Sequence, residues 1–134
     1  MSMQQKRKCL IVGASHAGAQ AAVALRQYGW EGDITLIGDE PHLPYQRPPL
    51  SKDFLCGNRQ DEDILIRQAS FYQKSAVHVL LGSQAIAIHR AQQQLEMDTG
   101  DKLEYDVLIL ATGARARRMD IPGAQLQGIH YLRN

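Results

Sequence analysis

The chain has 134 residues and 15.0 kDa, with 44% hydrophobic and 22% charged residues and a formal net charge of +1 at pH 7. That is one domain's worth of ordinary globular chain, and its near-neutral balance gives no electrostatic case for nucleic acid or an anionic membrane surface. No apolar run approaches the roughly 20 residues of a bilayer span, and the basic cluster Lys6–Lys8 precedes too short an apolar run for a secretory signal, so the expected location is the cytoplasm.

In chain order, the segment MSMQQKR is polar and expected to fray. The stretch Lys8–Leu25 then reads KCLIVG, ASHAG, AQAAVAL: a short apolar run, a glycine turn and an alanine-rich helical segment. Strand, tight turn and helix in that order are the context in which a G-x-G-x-x-G pattern acquires meaning. Gly13 lets the chain leave the strand sharply, and Gly18 lets the helix pack closely against it. The helix is expected from Ala17 to about Tyr28, closed by Gly29, with Ala21, Ala22 and Leu25 toward a sheet and Trp30 packed under its end. Its first amides have no partners within the helix, and the helix dipole stands behind them, so a pyrophosphate is the preferred occupant. Ser15 replaces the middle glycine; it is small enough for close backbone approach, and its hydroxyl can donate to phosphate.

A second strand is expected at Ile34–Ile37, followed by Asp39, 21 positions beyond Gly18. A dinucleotide fold places the acid that accepts from a ribose hydroxyl about 20 residues on. Four of the five prolines, Pro41, Pro44, Pro48 and Pro49, then fall in EPHLPYQRPPL, which stiffens the loop and removes amide donors. Pro48–Pro49 can start a short helix carrying Ser51, Lys52 and Phe54, and Arg47 and Lys52 would present cations beside a phosphate site.

Further on, a short strand is expected at Ile64–Ile66 and a helical turn at Ala69–Lys74. Three closely spaced strands follow, at Val77–Leu81, Ala85–His89 and Gln94–Met97, read as an antiparallel meander forming its own layer. The apolar run Val107–Leu110 has the character of a strand buried on both faces, and it ends in the small residues Ala111, Thr112 and Gly113. The final GIHYLRN looks like one more strand. The 2 cysteines form no C-x-x-C and no zinc spacing; Cys9 is expected to be a small buried hydrophobe, and no metal site is expected. These features describe an α/β chain: a Rossmann-like dinucleotide-binding domain, its parallel sheet built on a βαβ unit, with an antiparallel three-strand meander attached.

Three stretches together, GASHAGAQAAVALRQYGWEGDITLIGDEPHLPYQRPPLSK, ATGARARRMDIPGA and IHYLRN, resemble the FAD-dependent NAD(P)H:ferredoxin reductases of the putidaredoxin-reductase, rubredoxin-reductase and dioxygenase-component type. YQRPPLSK is the most specific part. The resemblance implies that residues 1–134 are the amino-terminal portion of an FAD-binding domain, incomplete because members run on into a second glycine-turn domain for the nicotinamide. It implies FAD as cofactor, NAD(P)H as donor and a ferredoxin or rubredoxin as acceptor. Gly13, Ser15, His16, Ala17 and Gly18 would form the pyrophosphate turn, Asp39 would take the adenosine ribose, and Arg47 and Lys52 would flank the pyrophosphate and isoalloxazine. Ala85 would present its backbone to the adenine, Ala111, Thr112 and Gly113 would press against the cofactor, and Arg133 would close the segment. No side chain is required as nucleophile or base, so no catalytic residue is assigned. The alternative reading is a truncated, non-catalytic FAD- or nucleotide-binding fragment, which would leave uncovered surface open to association. A disulfide reductase would need a cysteine pair near the flavin, where only Cys56 is present.

Overall fold

The computed structural model describes residues 6–134, and the expected fraying of the first residues falls largely outside that range. Four parallel strands form one sheet in the order β3-β2-β1-β7: β1 Lys8–Val12, β2 Asp33–Ile37, β3 Val77–Leu80 and β7 Val107–Leu110. A second, antiparallel sheet comprises β4 Ala85–His89, β5 Gln94–Met97 and β6 Lys102–Glu104. Helix α1, His16–Gln27, and the short α2, Ala69–Lys74, complete the regular elements together with two 3-10 turns at Pro48–Ser51 and Asp61–Ile64.

Strand periodicity explains the layering, because alternate side chains leave a strand on opposite faces. Cys9 and Ile11 of β1, Ile34 and Leu36 of β2 and Val77 of β3 join Ala22 of α1 and Tyr72 of α2 in one buried cluster. Leu10 and Ile37 face the other way and meet Leu95 and Met97 of β5. The parallel sheet is thus covered by helices on one face and by the antiparallel sheet on the other, which is why its strands read as continuous apolar runs. The face of α1 that is fully buried is Gly18, Ala19, Ala22 and Val23; Ala21 and Leu25 pack at its margin. Gly29, at φ +84°, ends the helix, and the Trp30 amide reaches back to the Leu25 carbonyl at 2.8 Å, seating the indole against the core as expected.

Four expectations are corrected. Val77–Leu80 is not part of the meander: it pairs in parallel with β2, from Ile34↔Val77 to Ile37↔Leu80. The third meander strand is instead Lys102–Glu104, reached by the tight turn at Asp98–Asp101. The crossover from β2 to β3 was hidden because it consists largely of proline loop and single helical turns, with only six residues of α-helix. Residues Ile64–Ile66 form no strand: Asp63 accepts from the Gln60 amide and closes a 3-10 turn, leaving one bridge, Tyr45↔Leu65. β7 is an edge strand whose other side carries no strand among the described residues, and Leu110 is 59% exposed. GIHYLRN also finds no strand partner; its side chains fold back instead, the Tyr131 hydroxyl accepting from the Met119 amide and Arg133 Nε donating to the Ala114 carbonyl. No helix among the described residues is long and apolar enough to cross a membrane.

Candidate functional site

The carboxyl ends of β1, β2 and β7 open into one cleft with two adjoining lobes of about 500 and 410 Å³. Open parallel sheets bind ligands at this end, outside the strands. The floor is the turn after β1. Gly13 has φ +116°, and a Cβ there would collide with the Ala111 carbonyl oxygen; a Cβ at Gly18 would collide with the Gly13 carbonyl oxygen. The two glycines bring β1, α1 and the end of β7 into backbone contact, so the start of α1 stands directly over the strand ends. Ser15 occupies the N-cap with an extended backbone and makes no side-chain cap, which leaves its hydroxyl and the first helical amides facing the cleft.

One wall carries Asp39, exposed and without a hydrogen bond or ion pair among the described residues. Beside it the proline loop turns three side chains into a cluster. Arg47 Nη2 donates to Glu40 Oε1 at 2.7 Å, the Tyr45 hydroxyl donates to Glu40 Oε2 at 2.6 Å, and Arg47 Nη1 donates to the Tyr45 hydroxyl at 3.0 Å. Arg47 Nη1 also donates to the Arg133 carbonyl at 3.2 Å, joining this wall to the carboxyl-terminal segment. Burial works against ionised Glu40, but the hydrogen bonds from Tyr45 and Arg47 and the charge of Arg47 outweigh it and hold the carboxyl below its usual range. Burial, with the Glu40 carboxylate beside it, pushes the Tyr45 phenol up to about 12. The cluster is therefore a carboxylate, a neutral phenol and a guanidinium across the working pH range.

Of the residues expected at the site, Gly13, Ser15, His16, Ala17, Asp39, Arg47, Ala111, Thr112, Gly113 and Arg133 line the larger lobe, and Ala85 lines the smaller. Gly18 lies beneath the floor, buried. Lys52 does not line the cleft; its Nζ donates to the Pro48 carbonyl at 3.3 Å. Sequence reasoning passed over Glu40 and Tyr45, although Glu40 adjoins the chosen Asp39 and Tyr45 opens the YQRPPLSK run. Neither cysteine lines the cleft: Cys9 is buried in the core, where burial raises its thiol pKa, and Cys56 is exposed. No group of three or more metal-ligating side chains occurs among the described residues.

Residues 7–134 match the profile of the pyridine nucleotide-disulphide oxidoreductases. The chain is 46% identical over 124 residues to rhodocoxin reductase of Rhodococcus erythropolis, covering 92% of this chain and 29% of that protein. It is 48% identical over 124 residues to the ferredoxin–NAD(+) reductase component of the biphenyl dioxygenase system of Paraburkholderia xenovorans, covering 92% and 30% respectively. Among solved structures, a ferredoxin reductase from Rhodopseudomonas palustris superposes with a TM-score of 0.89 at 44% identity, over 95% of this chain and 31% of that one. The reductase of the putidaredoxin reductase–putidaredoxin complex superposes with a TM-score of 0.83 at 39% identity, over 87% and 28%. The chain thus spans less than a third of the length of these relatives. A match over residues 7–134 places this chain in the pyridine nucleotide-disulphide oxidoreductase family.

Proposed function

We propose that residues 1–134 form the FAD-binding portion of a cytoplasmic flavoprotein oxidoreductase that takes electrons from NAD(P)H and delivers them to a ferredoxin or rubredoxin. The observation that supports this reading is the single cleft in which eleven expected residues, scattered from Gly13 to Arg133, come together over the amino end of α1. Its chemistry fits a dinucleotide. Unpaired amides and the Ser15 hydroxyl supply donors for a diphosphate, and the crowded glycine turn lets the backbone approach it closely. Arg47 lines both lobes and brings a positive charge to them. Asp39 is the uncommitted carboxylate suited to a ribose, and Ala85 lines the second lobe, where its backbone would face the adenine.

Bound flavin would supply the redox chemistry, a change between two-electron exchange with a nicotinamide and one-electron exchange with an acceptor protein. The residues of this chain bind and orient. Gly13, Ser15, His16 and Ala17 hold the diphosphate against the helix, Asp39 accepts from the ribose, and Arg47 offsets negative charge. Ala111, Thr112 and Gly113 give a small surface on which a ring system can lie, and Lys52 is assigned to the ring end, outside the diphosphate cradle. A dithiol mechanism finds no support in the cleft, where neither cysteine is present. Purified chain reconstituted with FAD and freed of excess should show the absorption bands of bound oxidised flavin in near-stoichiometric amount. A colourless protein with full native structure would sink the reading.

A further inference from the structure

The cation of the cleft does not stand free. Both terminal nitrogens of Arg47 are committed, Nη2 to Glu40 and Nη1 to the Tyr45 hydroxyl and the Arg133 carbonyl, whereas Nε is buried and has no partner among the described residues. Both oxygens of Glu40 are in turn engaged: one accepts from Arg47, the other from Tyr45. The guanidinium also lies over the Tyr45 ring, with Cζ 5.1 Å from the centroid. Tyr45 itself is fixed by the backbone on both sides, through the Gln46 amide to the Ile64 carbonyl at 2.8 Å and the Ile66 amide to the Pro44 carbonyl at 2.9 Å. Glu40 is anchored by its own carbonyl, which accepts from the Gly82 amide at 3.0 Å. A long, flexible side chain is therefore held at three points by groups that are themselves held.

Two opposite consequences are conceivable for a ligand. Glu40 could compete with an anionic ligand for Arg47, and then removing its charge would tighten binding. Alternatively, Glu40 and Tyr45 could hold the guanidinium rigid at the wall of the cleft, and then removing either would weaken binding. The geometry favours the second, because Glu40 is only one of three groups that fix the guanidinium, and Arg47 lines both lobes of the cleft while so held.

We infer that Glu40 and Tyr45 are positioning residues for the dinucleotide: they clamp Arg47 by its outer nitrogens so that its charge is held at the wall of the cleft, beside the bound cofactor. This rests on the proposal that the cleft takes FAD. The clamp spares the cofactor the entropy of ordering a free arginine, which is the general gain from preorganisation. Arg47→Lys is then not conservative, since a single ammonium nitrogen has no rigid fork with two separate nitrogens to be clamped.

The test is a double-mutant cycle on the full chain, read as the Kd for FAD by quenching of flavin fluorescence. Glu40→Gln and Tyr45→Phe should each raise Kd, Glu40→Gln by about tenfold, as expected for losing one charge-assisted interaction. In an Arg47→Met background, where the guanidinium is gone, the same two changes should leave Kd within about twofold. A residue that acted only on the fold would weaken binding equally in both backgrounds, and that result overturns the inference. So does tighter or unchanged binding by Glu40→Gln in the parent background. Should Glu40→Gln fail to fold, Tyr45→Phe, which keeps the ring, carries the cycle alone. No FAD binding by the wild-type chain would remove the proposed cofactor site and the clamp with it. Binding by wild type with no coupling to Arg47 removes the clamp only.

Discussion

Gly13 and Ala111 meet backbone to backbone, so that any Cβ at Gly13 would run into the Ala111 carbonyl oxygen. Ala111 follows β7, whose register with β1 runs from Cys9↔Val107 to Val12↔Leu110, and its amide donates to the Val12 carbonyl at 2.7 Å. The glycine therefore holds the strand ends together as well as making room for a ligand.

Gly13→Val should accordingly fail on two counts. The φ of +116° is closed to a β-branched residue, and the side chain would push β7 away from β1. We expect a loss of roughly 3 kcal/mol or more in unfolding free energy, combining backbone strain with overpacking. From sequence alone the same substitution is expected to abolish flavin binding while leaving much of the fold in place, so urea denaturation of the ligand-free variant separates the two. A midpoint equal to wild type would restore the simpler view.

Asp39→Ala should weaken FAD binding about tenfold, as one carboxylate hydrogen bond to a ribose hydroxyl is lost at a partly solvated position. Asp39 is the carboxylate to vary because it is uncommitted, whereas Glu40 is engaged by Arg47 and Tyr45. FMN lacks the adenosine, so its affinity should be weaker than that of FAD and indifferent to the change. Titration of both ligands against both proteins checks this, and an equal loss for FMN would count against the assignment.

The Tyr45 phenol gives a stability signature at high pH. Its folded pKa, about 12, lies above the ordinary value of 10.0, so the folded state holds the phenolic proton more tightly than the unfolded chain. The resulting stabilisation is fully present below about pH 10 and is lost as the pH rises toward 12. Tyr45→Phe should thus be less stable than wild type near pH 9, with the gap narrowing through that window. Glu40 contributes with the opposite sign: its carboxyl is held low in the folded state, so its stabilisation is lost as the pH falls below the carboxylate range. Denaturation curves for wild type, Tyr45→Phe and Glu40→Gln from about pH 3 to about pH 12 test both slopes.

Local chemistry was legible where a single residue had one physical reason to be present. Gly13, Gly18, Gly29 and the apolar strands could each be placed because backbone geometry and period admit few alternatives. The pairing of Val77–Leu80 with β2 could not be read, because a crossover of prolines and isolated turns carries no amphipathic period, and a short apolar strand looks the same beside β2 as in a meander. At the site, eleven of the residues named for a ligand contact line the cleft and Lys52 does not, and the Glu40–Tyr45–Arg47 cluster was not read. Which of two adjacent acids is committed within the protein depends on a loop closure that only the fold decides: the Tyr45↔Leu65 bridge turns Tyr45 toward Glu40 and leaves Asp39 to the cleft.

The last prediction concerns activity. The 134-residue chain saturated with FAD should show no rapid, saturable bleaching of flavin absorbance on mixing with NADH, and no sustained NADH-dependent reduction of a ferredoxin. Hydride transfer requires the nicotinamide to be held in near-contact with the flavin, and positioning of that kind supplies much of the rate. The sequence holds one strand, glycine turn and helix, from Lys8 to Gln27, and the cleft over it is already assigned to FAD. Relatives more than three times as long have ample chain for a second nucleotide site. Uncovered surface adds to the expectation: Leu110, Leu126 and Leu132 are 59%, 68% and 69% exposed, so the chain should also associate as its concentration rises. Stopped-flow absorbance at several protein concentrations, with ultracentrifugation of the same samples, measures both. Fast bleaching that saturates with NADH would show that these residues hold the nicotinamide as well as the flavin, and the reading of the chain as the flavin-binding portion alone would fall.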